Sequence, residues 1–349
     1  GMGAYGLLRL AQDTLPAVES ADLRILPDPS YDGALSTLGL AGVGLLIHRA
    51  SGSQVLAALQ AAAIYFPIVV VLEGCMLACE AAGLYLLYDE ERRKLAPADL
   101  ARAAVVAYPM MVLLPVGRAA AEAMRAGLLA HKTSGPRAAA AAARMQGVLL
   151  LANALISVLC ALAALALIGP SILPAAIAVN TVLVLGLGLS VLYGGRRVGL
   201  GAWLGRLSRR VGRSGTQFDD YLRQGPAIPV RSVLWAFASR LLQLGQYMVL
   251  LTAVGGQLGI LRGLCTQGIH LVGSAMGDLI PGQLGVTEAT YSLWSQALGL
   301  DAAAALAIAL LAHLAQASWA TIGSLAALIW PAPPAAASPT ETPAGSPPA

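Results

Sequence analysis

Pro281-Gly282-Gln283-Leu284-Gly285-Val286-Thr287-Glu288 interrupts a long apolar stretch, and Pro115-Val116-Gly117-Arg118-Ala119-Ala120-Ala121-Glu122 does the same far upstream. In both, a proline is followed by glycine and, seven positions on, by a glutamate. Proline removes a helical donor and glycine frees the backbone, so each stretch predicts a helix that stops or turns inside the bilayer. Such a break is tolerated in hydrocarbon only where protein or a wet cavity satisfies the freed backbone groups. Two breaks in corresponding halves of one chain point to a transport site between them.

The surroundings of these breaks set the class. The chain has 349 residues, 57% of them hydrophobic and 11% charged, with a mean hydropathy of +0.71. Soluble domains carry roughly 25% charged residues. A polytopic integral membrane protein is therefore expected, with no removable signal peptide. Apolar segments fall at Ala34 to Ile47, Ala61 to Tyr88, Ala103 to Leu114, Val148 to Ile168, Ile172 to Tyr193, Val233 to Val254, Ile260 to Ile280 and Ala302 to Trp330. A span needs about 20 apolar residues, so the first and third are too short to cross upright.

Charge placement orients the chain. The segment Arg196 to Arg231 holds eight of the 22 lysines and arginines, with Asp219 and Asp220 as its only acids, and is placed in the cytoplasm. Within it Leu200, Trp203, Leu204, Leu207 and Val211 recur at helical spacing. That pattern predicts a basic amphipathic helix on the anionic inner leaflet, a reading compatible with an ordinary positive-inside loop. Residues 1–33 read as an extramembrane N-terminal segment, 34–330 as the transmembrane domain, and 331–349 as a disordered tail rich in Pro and Ala.

The polar residues left in apolar sequence are the candidate sites. Arg118, Glu122 and Arg125 fall four and three residues apart, along one face of a helix that starts after Pro115. Two guanidiniums there suit a phosphate, with Glu122 orienting one of them. Solvated charges at the membrane surface are the plain alternative. At the second break Asp278, Gln283, Glu288 and His270 stand in apolar surroundings, and intramembrane acids are functional hypotheses by default. Asp278 equally suits a helix or turn cap, and Asp301 reads as the cap of the last helix.

Glu73 and Glu80, seven apart on one helix face, are expected to face the bundle interior and to pair with Arg240, Arg262 or His313. Asn153 and Asn180 are expected to bond between helices. The four cysteines, Cys75, Cys79, Cys160 and Cys265, read as small packing residues. With four histidines and no ligand spacing, no metal is expected. No nucleophile elbow, phosphate loop or HExxH pattern occurs, so the chain reads as no enzyme and without a cofactor.

The same two breaks resemble the transmembrane region of bacterial lysylphosphatidylglycerol synthases and their stand-alone, flippase-like relatives. The first pattern is carried by Leu113-Leu114-Pro115, Glu122-Ala123-Met124-Arg125-Ala126 and His131-Lys132, the second by Pro281 to Ala289. The Leu298-Gly299-Leu300-Asp301 turn also fits, and the Pro-Val-x-Arg form of the first motif is similar to the hopanoid-associated branch. The resemblance covers roughly Ala34 to Trp330 and implies the lipid-translocating half of the synthases, without their aminoacyl-transferase domain.

The expectation is thus an all-α polytopic membrane protein of about 6–8 transmembrane segments in two related halves, with re-entrant or broken helices near Pro115 and Pro281. Gly117, Gly282 and Gly285 complete those breaks. The expected function is translocation of a polar lipid, phospho-, aminoacylated or hopanoid-type, between leaflets of a bacterial inner membrane. Arg118 and Arg125 would attract phosphate, while Asp278 and Glu288 would balance a cationic headgroup or take part in proton coupling. A non-transporting partner of a lipid-modifying enzyme, docked through the basic segment, stays open, as does an intramembrane lipid transferase using Glu73 and Glu80. Membrane lipids and the anionic inner leaflet are the expected partners, nucleic acid is not, and a homo-oligomer stays open.

Overall fold

The structure, a computed structural model, describes residues 41–114, 117–199, 201–202, 212–278, 280 and 283–330. Pro115, Pro281 and Gly282, the apolar positions of segment 203–211 with Leu200, the N-terminal residues 1–40 and the tail 331–349 lie outside the described residues. Regular structure among the described residues is helical throughout.

Short α1 (41–49) precedes α2 (Gly52–Leu86), which tightens to a 3₁₀ turn at Ala63–Tyr65. The cause is Pro67, whose ring lacks an N–H and crowds the carbonyl four residues back. Helix α3 (Pro97–Leu113) opens on a proline, and the Asp99 carboxylate accepts from the Ala96 N–H at 3.0 Å. After the first break come α4 (Gly117–Ala130) and α5 (Gly135–Ile168), the latter capped by Ser134 Oγ, which accepts from the Arg137 N–H at 3.3 Å. Next are α6 (Ile172–Val198), with a π turn at Ser190–Gly194, and α7 (Gly212–Arg223). Then follow α8 (Val230–Ala253), α9 (Ile260–Gly277), the second break, α10 (Val286–Leu293) and α11 (Ala302–Ile329). Asp301 caps α11 as expected, its Oδ1 accepting from the Ala304 N–H at 2.7 Å.

The element order repeats. A long helix, a shorter one, a break, a short helix and a long helix describe both α2 to α5 and α8 to α11, with α6 and α7 between. Packing repeats as well: α3 lies on α4 and α11, α9 lies on α10 and α5, and α2 lies on α8. Along that last seam Glu80 meets Arg240, and Glu73 meets Gln246 at 2.9 Å. Rising numbers on one helix against falling numbers on the other make α2 and α8 antiparallel, so the halves are inverted with respect to each other.

One end of the bundle gathers the arginines. Arg137 Nη2 donates to Leu87 O (3.2 Å) and to Asp89 (3.0 Å), Arg144 Nη2 donates to Pro226 O (3.2 Å), and Arg196 Nη1 donates to Gly225 O (3.0 Å). These bonds explain a boundary that hydropathy misplaces. The span expected from Val148 begins at Gly135, because Arg137 and Arg144 turn inward to partners instead of ending the helix.

Two apolar cores hold the ends. Leu84, Leu87, Leu100, Met145 and Val233 form the one beneath the arginines, and Ile156, Cys160, Tyr247, Cys265 and Ile308 belong to the other. Large apolar side chains such as Leu155, Leu162, Val182, Leu183 and Leu187 face outward, which suits hydrocarbon. Cys160 and Cys265 pack in the core, whereas Cys75 is exposed and Cys79 half-buried on α2. Among the described residues four helices, α2, α5, α6 and α11, have the length and composition to cross a membrane, at 35, 34, 27 and 28 residues. With α8 and the broken α3 and α9 they give the multi-pass, all-α bundle expected from hydropathy.

At Gly323 on α11 an added Cβ would lie 2.3 Å from Val105 O, the carbonyl that Pro109 leaves without its helical donor. Small residues let membrane helices approach this closely. Gly323→Leu is expected to cost about 1–3 kcal/mol through overpacking, lowering the thermal unfolding midpoint in detergent. Gly186→Ala, at an exposed position with nothing within 4 Å, is the matched control and should leave the midpoint unchanged or raised.

Candidate functional site

Each break is a place where the chain folds back on itself. A Cβ at Gly117 would sit 2.3 Å from Met111 O and 2.7 Å from Met110 O, so only glycine lets α4 start against the last turn of α3. At the second break a Cβ on Gly277 would meet Gln283 Cβ at 2.9 Å, and Gly285 turns the chain into α10 with φ of 84°. The Glu288 carboxylate then caps α10 by accepting from the Gly285 N–H at 2.8 Å. Two hairpins result, α3 with α4 and α9 with α10, one from each inverted half.

The two hairpins open onto one polar cavity of ≈ 190 Å³. Gly117 and Arg118 reach it from the first, Ser274, Asp278 and Gln283 from the second. Between them stand Glu73 and Glu80 of α2, and Arg240 and Gln243 of α8. Asn153 and Asn180 line it too, so these asparagines face the cavity instead of joining helices. A larger cleft of ≈ 450 Å³ lies alongside, between α2, α3 and α11, with Leu77 in the wall of both. It is apolar, lined by Ala78, Ala81, Ala104 and Trp319 among others, and carries no charged group.

Electrostatics in the polar cavity centre on Glu80. Its Oε1 accepts from Arg240 Nη2 and, at 3.5 Å, from Ser239 Oγ. Arg118 Nη1 and Arg125 Nη2 each lie 3.9 Å from its oxygens. Arg125 in turn donates to Glu122 Oε1 at 2.5 Å, and both residues are buried behind the wall. Glu73 has neutral partners: Tyr108 Oη donates to its Oε1 at 2.5 Å and Gln246 Nε2 to its Oε2 at 2.9 Å. At the second hairpin Ser274 Oγ donates to Gln283 Oε1 (2.8 Å), and Gln283 Nε2 donates to Asp278 Oδ1 (3.2 Å).

Of the residues singled out in the sequence, Glu73, Glu80, Arg118, Asp278 and Gln283 converge on the cavity wall, with Gly117 at the fold of the first break. Glu122 and Arg125 stand one layer behind. Glu288 is fully buried away from the cavity, with His313 Nδ1 3.0 Å from its Oε1. Of the partners expected for Glu73 and Glu80, Arg240 takes Glu80, His313 takes Glu288, and Arg262 lies at the far end beside Gly299. Tyr108, Gln243 and Gln246 belong to the site and escaped the sequence reading. Arg240, Gln243 and Gln246, three apart in an otherwise apolar span, were the signal that could have found the last two.

At the cavity Arg118 Nη1, Asn153 Oδ1, Arg240 Nε and His270 Nδ1 have no hydrogen-bond partner among the described residues, as is also true of atoms elsewhere, in Arg102, Arg137, Arg144 and Thr287 among others. Buried polar groups are paired in the great majority of cases, so those at the cavity are left open to a polar guest. Fold and site together define a multi-pass helical membrane protein with inverted halves around a central polar cavity. The chain belongs to the family of the lysylphosphatidylglycerol synthase TM region, whose model matches residues 33–323. No curated protein and no solved structure matches it.

The Glu80 cluster makes a stability prediction. Removing one partner of a buried ion pair costs about 3–5 kcal/mol because a charge is left uncompensated. Glu80→Ala should therefore lower the unfolding midpoint in detergent more than Glu73→Gln, which breaks no ion pair and keeps an acceptor for Tyr108.

Proposed function

We propose that the protein moves a polar lipid between the leaflets of a bacterial inner membrane. The observation that carries this reading is the meeting of both hairpins, one from each inverted half, at a single polar cavity. Inverted repeats with discontinuous helices at their interface suit alternating access, because the same contacts can be made with either half tilted. The lipid phosphate sits against Arg118, whose side chain is 38% exposed and whose Nη1 stands 3.9 Å from Glu80, beyond hydrogen-bond reach. Arg125 and Arg240, held by Glu122 and Glu80, add positive potential behind it. Asp278 and Gln283 on the opposite hairpin receive the other pole of a zwitterionic or aminoacylated headgroup. The acyl chains run through the apolar cleft beside the cavity, which spares them contact with the polar wall.

Glu288 and Glu122 have supporting parts in this reading, the first capping α10 and the second fixing Arg125. The arginine-rich end faces the cytoplasm by the positive-inside rule and rests against anionic lipid.

Purified protein in liposomes should exchange fluorescent phospholipids between leaflets faster than empty vesicles. A hydrogen bond to a charged group contributes roughly 1.5–3 kcal/mol, so Arg118→Ala should slow exchange of phosphate-bearing lipids about ten- to hundredfold at tenfold per 1.36 kcal/mol. Absence of exchange for every headgroup tried would refute the reading and favour a docking partner for a lipid-modifying enzyme.

A further inference from the structure

We propose that Glu73 is the proton-binding site that couples lipid movement to the proton gradient across the membrane. This inference rests on the transport reading above and adds its coupling ion.

Among the described residues four glutamates are buried: Glu73, Glu80, Glu122 and Glu288. Three have a basic partner within 4.0 Å, namely Arg240 for Glu80, Arg125 for Glu122 and His313 for Glu288. Among the described residues Glu73 has none at that distance, only the Tyr108 hydroxyl and the Gln246 amide. Burying a carboxylate without a counter-charge is costly, and neutralisation by a proton is the usual escape.

Its two neighbours suit both forms. As a carboxylate, Glu73 accepts from Tyr108 and from Gln246. As an acid it has one proton to donate, and a tyrosine hydroxyl can rotate to accept it. Gln246 Nε2 keeps a second acceptor in Val69 O at 3.2 Å, so it is not stranded when the carboxyl changes state. Glu73 lines the cavity and lies on the α2/α8 seam, where the two halves meet. Asp278 is exposed at the second hairpin and Glu288 is enclosed with His313, so neither combines burial with access to the cavity.

The surrounding charges give the proton its effect. Glu73 interacts with Glu80 on its own helix, Arg240, Gln246 and Tyr247 on α8 and Tyr108 on α3; Arg118 on α4 and His270 and Asp278 of the second hairpin line the same cavity, Glu122 and Arg125 on α4 pair behind it, and His313 on α11 pairs with Glu288. A proton on Glu73 removes one negative charge from the wall that carries the Arg118 and Arg240 guanidiniums. Phosphate binding is thereby strengthened, and linkage requires that bound phosphate favour protonation equally. A proton and an anionic headgroup then cross together, which avoids carrying an uncompensated charge through the bilayer.

The test uses full-length protein in liposomes with fluorescent phosphatidylglycerol, the membrane potential being clamped with potassium and valinomycin. Exchange at equal pH on both sides tests the transport reading alone. A gradient of one pH unit should then drive the labelled lipid to a leaflet ratio of about tenfold for one proton per lipid, a unit of pH being tenfold in equilibrium. Glu73→Asp, which keeps a titratable carboxyl, should still respond to the gradient, and Glu73→Gln should not. In the wild type, a hydrophobic carbodiimide, which reacts with protonated carboxyls in apolar surroundings, should label Glu73 by mass spectrometry and abolish the response. Exchange at equal pH with no wild-type response to the gradient, a response that survives in Glu73→Gln, or no label on Glu73 would each overturn the inference while leaving the transport reading in place. No exchange at equal pH would remove both.

Discussion

Glu80 sits where three helices from both halves meet, and its carboxylate is shared by Arg240 of α8 and, at 3.9 Å, by Arg118 and Arg125 of α4. Charges this deep are stable only together. Each ion gives up several kcal/mol of hydration, so the arrangement persists because every partner it has is already in place. Glu122 completes the set by holding Arg125. Through this cluster the first hairpin is tied to the seam between the halves, while the second hairpin is closed by Tyr291 Oη, which donates to Thr266 O at 3.0 Å, and held to α11 by Glu288 with His313.

The hairpins answer a second constraint. In hydrocarbon an open backbone is expensive, so an interrupted helix must find its partners within protein. Close approach packs the broken ends against protein: Gly117 stacks on the last turn of α3, and Gly273 on α9 lets α10 come near, since a Cβ there would meet Thr290 Oγ1 at 2.5 Å. Glycine at these positions is a matter of space first and of backbone freedom second. The polar cavity and the hairpins are thus mutually dependent, the hairpins supplying the cavity's walls from both halves.

How much of this the sequence carried follows from what hydropathy and spacing can register. Pro115 and Pro281 with their glycines marked the two breaks, and Glu73 and Glu80 at a spacing of seven marked an inward face, because both signals are local. The start of α5 was misplaced because an inward-facing arginine and a boundary arginine look alike until Asp89 and Pro226 are seen beside Arg137 and Arg144. Pairing was the least legible part. Glu80 with Arg240 spans 160 positions, and nothing in one sequence ranks Arg240 above Arg262 as its partner. Tyr108 was hidden for a related reason, since one tyrosine in an apolar helix does not say which way it faces.

The backbone repeats between the halves, but the chemistry does not. Where the first hairpin brings Arg118 to the cavity, with Arg125 behind, the second brings Asp278, Gln283 and Ser274. A symmetric cavity would hold a headgroup equally well in either sense. This one has a cationic side and an acidic, amide-rich side, joined by the carboxylates of α2. In the proposed function that polarity fixes the headgroup's direction while the repeated backbone lets either half tilt. Glu73 stands at a buried place on the wall where the charge can change without breaking an ion pair, because its neighbours Tyr108 and Gln246 are neutral.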